Sequence, residues 1–309
     1  MGMDANMTVI VAGASGVFGR HITRTLRSAG YQVLGLGRGR ENEISADLLD
    51  RQGLLRAVRG VRAGVIVHAA TALRKPPMTH KGMYGTDDLR IAGTANLLEA
   101  AAIVGAQRFI GENIVFGYGY RDFGDRVLTE DDPFGGSDPD QGFARHLAGM
   151  REKEHLPLQA AGLHAVSLRY GLFYGAGATE TLVEMLRKRR LPAFDDHGRV
   201  LPWINLADAA AAVLAAIEHG RPGEAYVVVD ESQLGFGGMV KATAAAFHTP
   251  RPLTVPTWLT RVAPYLHRLA TISLRVSTEK ARRELGWKPT FPTVADGLLA
   301  VSKRNNPDP

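Results

Sequence analysis

The sequence predicts an α/β protein with a doubly wound parallel sheet, and three observations lead there. Residues 8–20 read Thr-Val-Ile-Val-Ala-Gly-Ala-Ser-Gly-Val-Phe-Gly-Arg, a β-branched strand that breaks into glycines at Gly13, Gly16 and Gly19. Val17, Phe18, Ile22 and Leu26 follow at helical spacing, so the glycines mark a sharp strand-to-helix turn. Residues 31–37 form a second apolar run, which closes a right-handed β-α-β unit within about 30 residues.

Each element then follows in order. Glycines in such a turn let the backbone approach a pyrophosphate, and the free N–H groups and dipole of the helix N-terminus stabilise its charge. This assigns Gly13, Ser15, Gly16, Val17, Phe18 and Gly19 to a dinucleotide site. At the end of the second strand an acidic residue would bind a ribose 2′-hydroxyl, whereas an arginine pairs with a 2′-phosphate. Arg38 stands there, followed by Arg40, which favours NADP(H) over NAD(H). A short helix is expected over 51–58 and a third strand over 63–70, ending in His68-Ala69-Ala70, whose small alanines leave room for a nucleotide. Pro76-Pro77 breaks the chain before a helix over 88–104. A fourth strand (109–116), a glycine- and aspartate-rich loop (117–140), a helix from 141 that Pro157 ends, and a fifth strand (163–170) come next. Residues 170–177 form another glycine-aromatic turn, 203–208 lead into an alanine-rich helix, and 225–229 are a sixth strand. Ser277-Thr278-Glu279-Lys280 reads as a capping box for a helix near the end of the chain.

Composition narrows the function classes. A chain of 309 residues allows one large or two modest domains. With no cysteine, disulfides, iron–sulfur clusters and thiol catalysis are excluded. The net charge of +6 comes from arginines spread along the chain. The one dense basic cluster, residues 187–190, lacks interleaved aromatics and reads as a solvated helix end, so a small anionic ligand is expected and not nucleic acid. Asp208 interrupts the longest apolar helical run, 206–217, and the first seven residues are polar; a cytoplasmic protein without a membrane segment is expected. Asp195-Asp196-His197 has metal-like composition but reads as a loop, and no metal site is expected.

With these landmarks in order, the chain resembles the extended short-chain dehydrogenase/reductase superfamily, in its NAD-dependent epimerase/dehydratase-like branch. The resemblance rests on the three glycines, on Asp47-Leu48 at the family's adenine-contacting position and on His68-Ala69-Ala70. Residues 93–100, 169–177, 203–208 and 284–289 extend it over nearly the whole chain. It implies a Rossmann cofactor domain over 1–175 and 199–230 and a smaller C-terminal substrate domain over 176–198 and 231–309. Dimers through the helices beside the fourth and fifth strands are also implied.

The active-site pattern departs from that family. Its members carry a Tyr-x-x-x-Lys pair on the helix after the fourth-strand loop, and counting back from Leu168-Arg169 places those roles at Phe143 and Leu147. Neither side chain transfers a proton. The family's Ser or Thr at the end of the fourth strand is replaced by Glu112-Asn113-Ile114, and its lysine-supporting Asn falls at Arg90. Candidate replacements are Asn113 as a donor to a substrate carbonyl, Glu112 as a base, Tyr118 and Tyr174 as proton donors projecting from the strand ends, and His146 as a proton shuttle. An NADP-dependent oxidoreductase acting on a small organic substrate, with Asn113 and Tyr118 near the reacting carbon, is therefore expected. A non-redox isomerase, dehydratase or cyclase and a non-catalytic NADP sensor remain as alternatives.

Overall fold

Strands with covering helices on both faces have no solvent side, and the apolar runs of this chain are buried accordingly. In the computed structural model, which describes residues 7–305 except Arg74 and Pro76, Val9, Ile10, Val11 and Ala12 have no exposed surface. The first-residue and Pro76 readings lie outside the described residues.

The first strand, β1 (Thr8–Ala12), turns into α1 (Val17–Ser28), and β2 (Gln32–Gly37) returns beside it. The short β3 (Ile44–Ser45) and α2 (Arg51–Ala57) lead to β4 (Val65–His68). Next, α3 (Lys81–Asp88) passes through a π-helical turn, Leu89–Gly93, into α4 (Thr94–Val104). Then come β5 (Arg108–Ile114), a 3₁₀ turn at Val115–Tyr118, β6 (Asp122–Leu128), α5 (Gln141–Leu158), β7 (His164–Tyr170) and β8 (Leu172–Tyr174). The chain continues through α6 (Glu180–Arg187), β9 (Ala193–Phe194), β10 (Trp203–Asn205), α7 (Leu206–His219), β11 (Glu224–Val228) and α8 (Phe236–Ala246). It closes with β12 (Thr254–Val255), α9 (Pro264–Ala270), β13 (Ser273–Val276), α10 (Glu279–Leu285) and α11 (Val294–Asn305).

Seven strands form one sheet in the order β11-β7-β5-β4-β1-β2-β3, and every pairing in it is parallel. Connections leave β1 and β4 in opposite directions, so a crevice opens between their carboxyl ends, where such sheets place ligands. One face packs Ile22 and Leu26 of α1 with Val213 and Ala216 of α7. The other packs Leu54, Leu97 and Ala100. A third apolar cluster joins α5 to the C-terminal elements through Phe143, Leu147, Met150, Tyr265 and Leu298.

Two expectations change. The helix expected from residue 88 begins at Lys81, and Asp87 near the end of α3 pairs with Arg90 of the π-helical turn at 3.3 Å. The expected loop 117–140 contains β6, which pairs with β13. Most of β6 is exposed, so no alternation announces it, and its partner lies far along the chain.

Candidate functional site

The glycine turn sits where the sheet order reverses. Gly13 adopts φ +90°, a left-handed conformation natural to glycine. A Cβ there would lie 2.8 Å from the Ala69 carbonyl oxygen and the Ala70 Cα; one on Gly19 would lie 2.0 Å from the Gly13 carbonyl oxygen. Absent side chains thus let β1, β4 and α1 meet at one point. Ser15, Gly16 and Val17 are exposed there, and Gly16 caps α1 without a side-chain bond. The first amides of the helix therefore face outward without helical acceptors. Phe18 is buried against Tyr170 and Phe173 at 5.3 and 4.7 Å, so only its backbone is available to a ligand. Gly177 and Ala176 close on the same helix: a Cβ on Gly177 would lie 2.8 Å from Val17, and His21 Nε2 lies 2.8 Å from the Ala176 carbonyl oxygen. These residues fit a dinucleotide pyrophosphate.

Arg38 and Arg40 are exposed at the end of β2, and neither makes a hydrogen bond or ion pair among the described residues. Beside them a cleft of about 780 Å³ is lined by Ser15, Arg20, Arg24, Asn42 and Glu43 among others. The cleft lining mixes Arg20, Arg24 and Arg27 with Glu41 and Glu43. Asp47 is half-buried and accepts the Leu49 amide at 2.9 Å, while Leu48 is buried and its carbonyl accepts from Asn96 at 2.7 Å. His68 is fully buried at the end of β4; burial, with Lys153 and Arg90 nearby, holds its pKa well below the ordinary value. Its Nε2 has no hydrogen-bond partner among the described residues.

Most of the expected catalytic side chains are engaged by the protein itself. Asn113 donates to the Met150 carbonyl at 2.8 Å and accepts from the Ile114 amide at 3.0 Å. Glu112 accepts from Lys153 at 2.7 Å, and the ammonium of that pair is 3 % exposed. Tyr118 donates to the Thr129 carbonyl and accepts from Arg169, both at 2.8 Å, and burial raises its pKa. Tyr174 donates to the Thr293 carbonyl at 3.2 Å and lies under Gly297, whose Cβ would fall 2.6 Å from the ring. Asp196 caps α8 through the Gly237 and Gly238 amides at 2.8 and 2.7 Å, which explains the composition of its loop.

The profile of the NAD dependent epimerase/dehydratase family matches residues 9–229. The chain belongs to this family. It is 34 % identical over 313 aligned residues to 3-diazoavenalumate denitrifying reductase of a Streptomyces species, covering 94 % of this chain and 99 % of that one. The human epimerase family protein SDR39U1, solved with NADPH, superposes with a TM-score of 0.78 at 18 % identity, covering 96 % of this chain and 99 % of the other. DesIV, a dTDP-glucose 4,6-dehydratase from Streptomyces venezuelae solved with NAD and TYD, superposes at 0.76 and 21 %, covering 97 % and 98 %. At those identities the two structures share the fold.

In this family member the helix α5 presents no tyrosine–lysine pair. Phe143 and Leu147, the positions reached by counting, point into the apolar cluster. His146 stands about 100° around the helix from Leu147 and reaches α3. Its Nδ1 lies 2.6 Å from the Asp87 carboxylate and its Nε2 3.0 Å from His80 Nδ1, with His146 and Asp87 both at 0 % exposure. Asp87 also faces Arg90 at 3.3 Å and Arg145 at 3.8 Å. Of these neighbours, His80 and Asp87 carried no signal in the sequence. They reach His146 only because the helix starts at Lys81 and lies against α5.

Proposed function

We propose that the protein is an NADPH-dependent reductase that removes dinitrogen from a small diazo compound. The full-length 34 % identity to a denitrifying reductase carries this reading. In such a reduction the carbon gains one hydride and one proton, the C–N bond breaks, and its electron pair leaves with dinitrogen. Hydride is the chemistry that bound NADPH supplies. No oxyanion forms at the reacting carbon, so a tyrosine hydroxyl held against a substrate oxygen has no task there. The occupation of Asn113 and Tyr118 by backbone partners agrees with a reaction that needs no carbonyl polarisation. Gly13, Ser15, Gly16, Val17 and Gly19 would hold the pyrophosphate, and Arg38 and Arg40 the 2′-phosphate.

Incubation with NADPH and 3-diazoavenalumate tests the reading. Loss of NADPH absorbance matched mole for mole by dinitrogen is expected, and deuterium from C4-labelled NADPH should appear in the product. Product without cofactor oxidation would indicate an isomerase or dehydratase. Tight NADPH binding with no turnover of any diazo compound would overturn the proposal.

A further inference from the structure

We propose that His80, His146 and Asp87 form a hydrogen-bonded relay that serves this site in place of the family's tyrosine–lysine pair, with His80 as the proton donor at its solvent-exposed end and His146 and Asp87 as positioning residues. The proposal rests on the reductase reading for the identity of the proton acceptor.

The geometry orders the chain of bonds. A carboxylate oxygen of Asp87 accepts, so His146 Nδ1 carries a proton and donates across 2.6 Å. Nε2 of a neutral His146 is then an acceptor, and His80 Nδ1 donates to it across 3.0 Å. The remaining His80 nitrogen, Nε2, lies 3.5 Å from Asp140, and the His80 side chain is 25 % exposed. One end of the relay is sealed and the other open to solvent. That is the asymmetry a proton donor needs in order to be oriented from behind and recharged from in front.

The fold makes room for this arrangement. A Cβ on Gly142 would lie 2.4 Å from His80 Nδ1, so only glycine at the start of α5 admits the imidazole. Phe143 and Tyr265 hold the His80 ring edge-on at 4.6 and 4.9 Å, which places it between α5 and α9. Charged and titratable groups face the relay from each neighbouring element. They are Asp87, Arg90 and Tyr84 from the α3 side, Asp140 and Arg145 from α5, Tyr120 and Asp138 from the preceding loop, and Tyr265 and Arg268 from α9. Burial lowers the His80 pKa, with His146 and Arg268 adding to the effect and Asp140 and Asp138 opposing it. The His80 imidazolium gives its proton to the diazo carbon and is reprotonated by solvent; bound NADPH would supply the hydride, and dinitrogen leaves with the C–N electron pair.

The test uses the full chain with NADPH and 3-diazoavenalumate. His80→Gln should lower kcat at least 100-fold and remove the histidine limb of the pH profile, with NADPH affinity unchanged. His146→Asn should shift that limb upward and lower kcat less. Wild-type kcat and pH profile in both variants would overturn the relay. A second readout needs no turnover: in ¹⁵N imidazole spectra His146→Asn should raise the His80 midpoint, because His146 holds it down. A His80 midpoint unmoved by His146→Asn overturns the relay whatever the substrate. A raised His80 midpoint with no diazo turnover instead supports the relay and overturns the substrate.

Discussion

Arg38 is the side chain on which the proposed cofactor choice rests. It stands exposed beyond β2, unpaired among the described residues, at the position where an acidic side chain would reach for a ribose hydroxyl. In the proposed complex its guanidinium makes charge-assisted bonds to a 2′-phosphate, a contact type that contributes about 1.5–3 kcal/mol. Arg38→Glu is expected to weaken NADPH binding by one to two orders of magnitude and leave NADH binding equal or tighter, as read by nucleotide fluorescence titration. Unchanged NADPH affinity would remove Arg38 from the cofactor site. Tyr118 teaches the converse: it looked like an acid projecting from a strand end, yet its hydroxyl donates to the Thr129 carbonyl and accepts from the Arg169 guanidinium.

At the scale of elements, the position of α5 decides what the site contains. Glu154 near the end of this helix takes two bonds from Arg169 of β7, at 2.7 and 3.0 Å, and a third from Ser167 at 2.8 Å. Arg169 also stacks on Phe134 at 4.1 Å and reaches the Glu130 carbonyl. With the two side chains 6 % and 3 % exposed, the pair pins the helix to the strand and sets which of its faces meets α3. Removing one partner leaves the other charge buried, so Glu154→Gln should cost about 3–5 kcal/mol in urea unfolding. A loss below about 1 kcal/mol would show that apolar packing alone holds α5 in place. From the other side, Asp87 near the end of α3 faces Arg90 of the π-helical turn and Arg145 of α5.

For the molecule as a whole, the C-terminal elements and the large sheet meet at Asp230, just past β11. Its amide donates to the Trp203 carbonyl, its Oδ1 accepts from the Ser232 amide at 2.9 Å, and Ser232 Oγ accepts from the Val294 amide at 2.7 Å. Its Oδ2 is buried without a hydrogen-bond partner among the described residues. Burial, with Asp208 nearby, pushes the carboxyl up to about 7, from an ordinary value of 3.8. Between those values the folded chain holds a proton that the unfolded chain has lost. The associated stability is complete below the unfolded value and disappears as pH rises through about 7. From pH 5 to pH 8 the wild type should therefore lose on the order of 2 kcal/mol relative to Asp230→Asn, measured by denaturant midpoints at each pH. A constant difference across that range would show that the carboxyl is ionised throughout. Among the described residues no helix is long and apolar enough to cross a membrane.

Local information was enough for the sheet and for the turn at its centre. Burial on both faces demands apolar strands, and a turn at φ +90° against a neighbouring strand end demands glycine, so β1, β2, β4, β5, β7 and β11 and the roles of Gly13 and Gly19 could be read from residue types and spacing. The second half of the site depends on contacts across the chain. His80, Asp87 and His146 come together from residues separated by 59 and 66 positions, and no periodicity or motif marks such a meeting. The same holds for the occupation of Asn113, Tyr118 and Tyr174 by distant backbone groups and for the pairing of β6 with β13. A backbone turn is specified by the residues that make it, whereas the direction of a polar side chain is settled by whichever partner the packed helices bring within about 3 Å, as Asp87 and His80 are brought to His146.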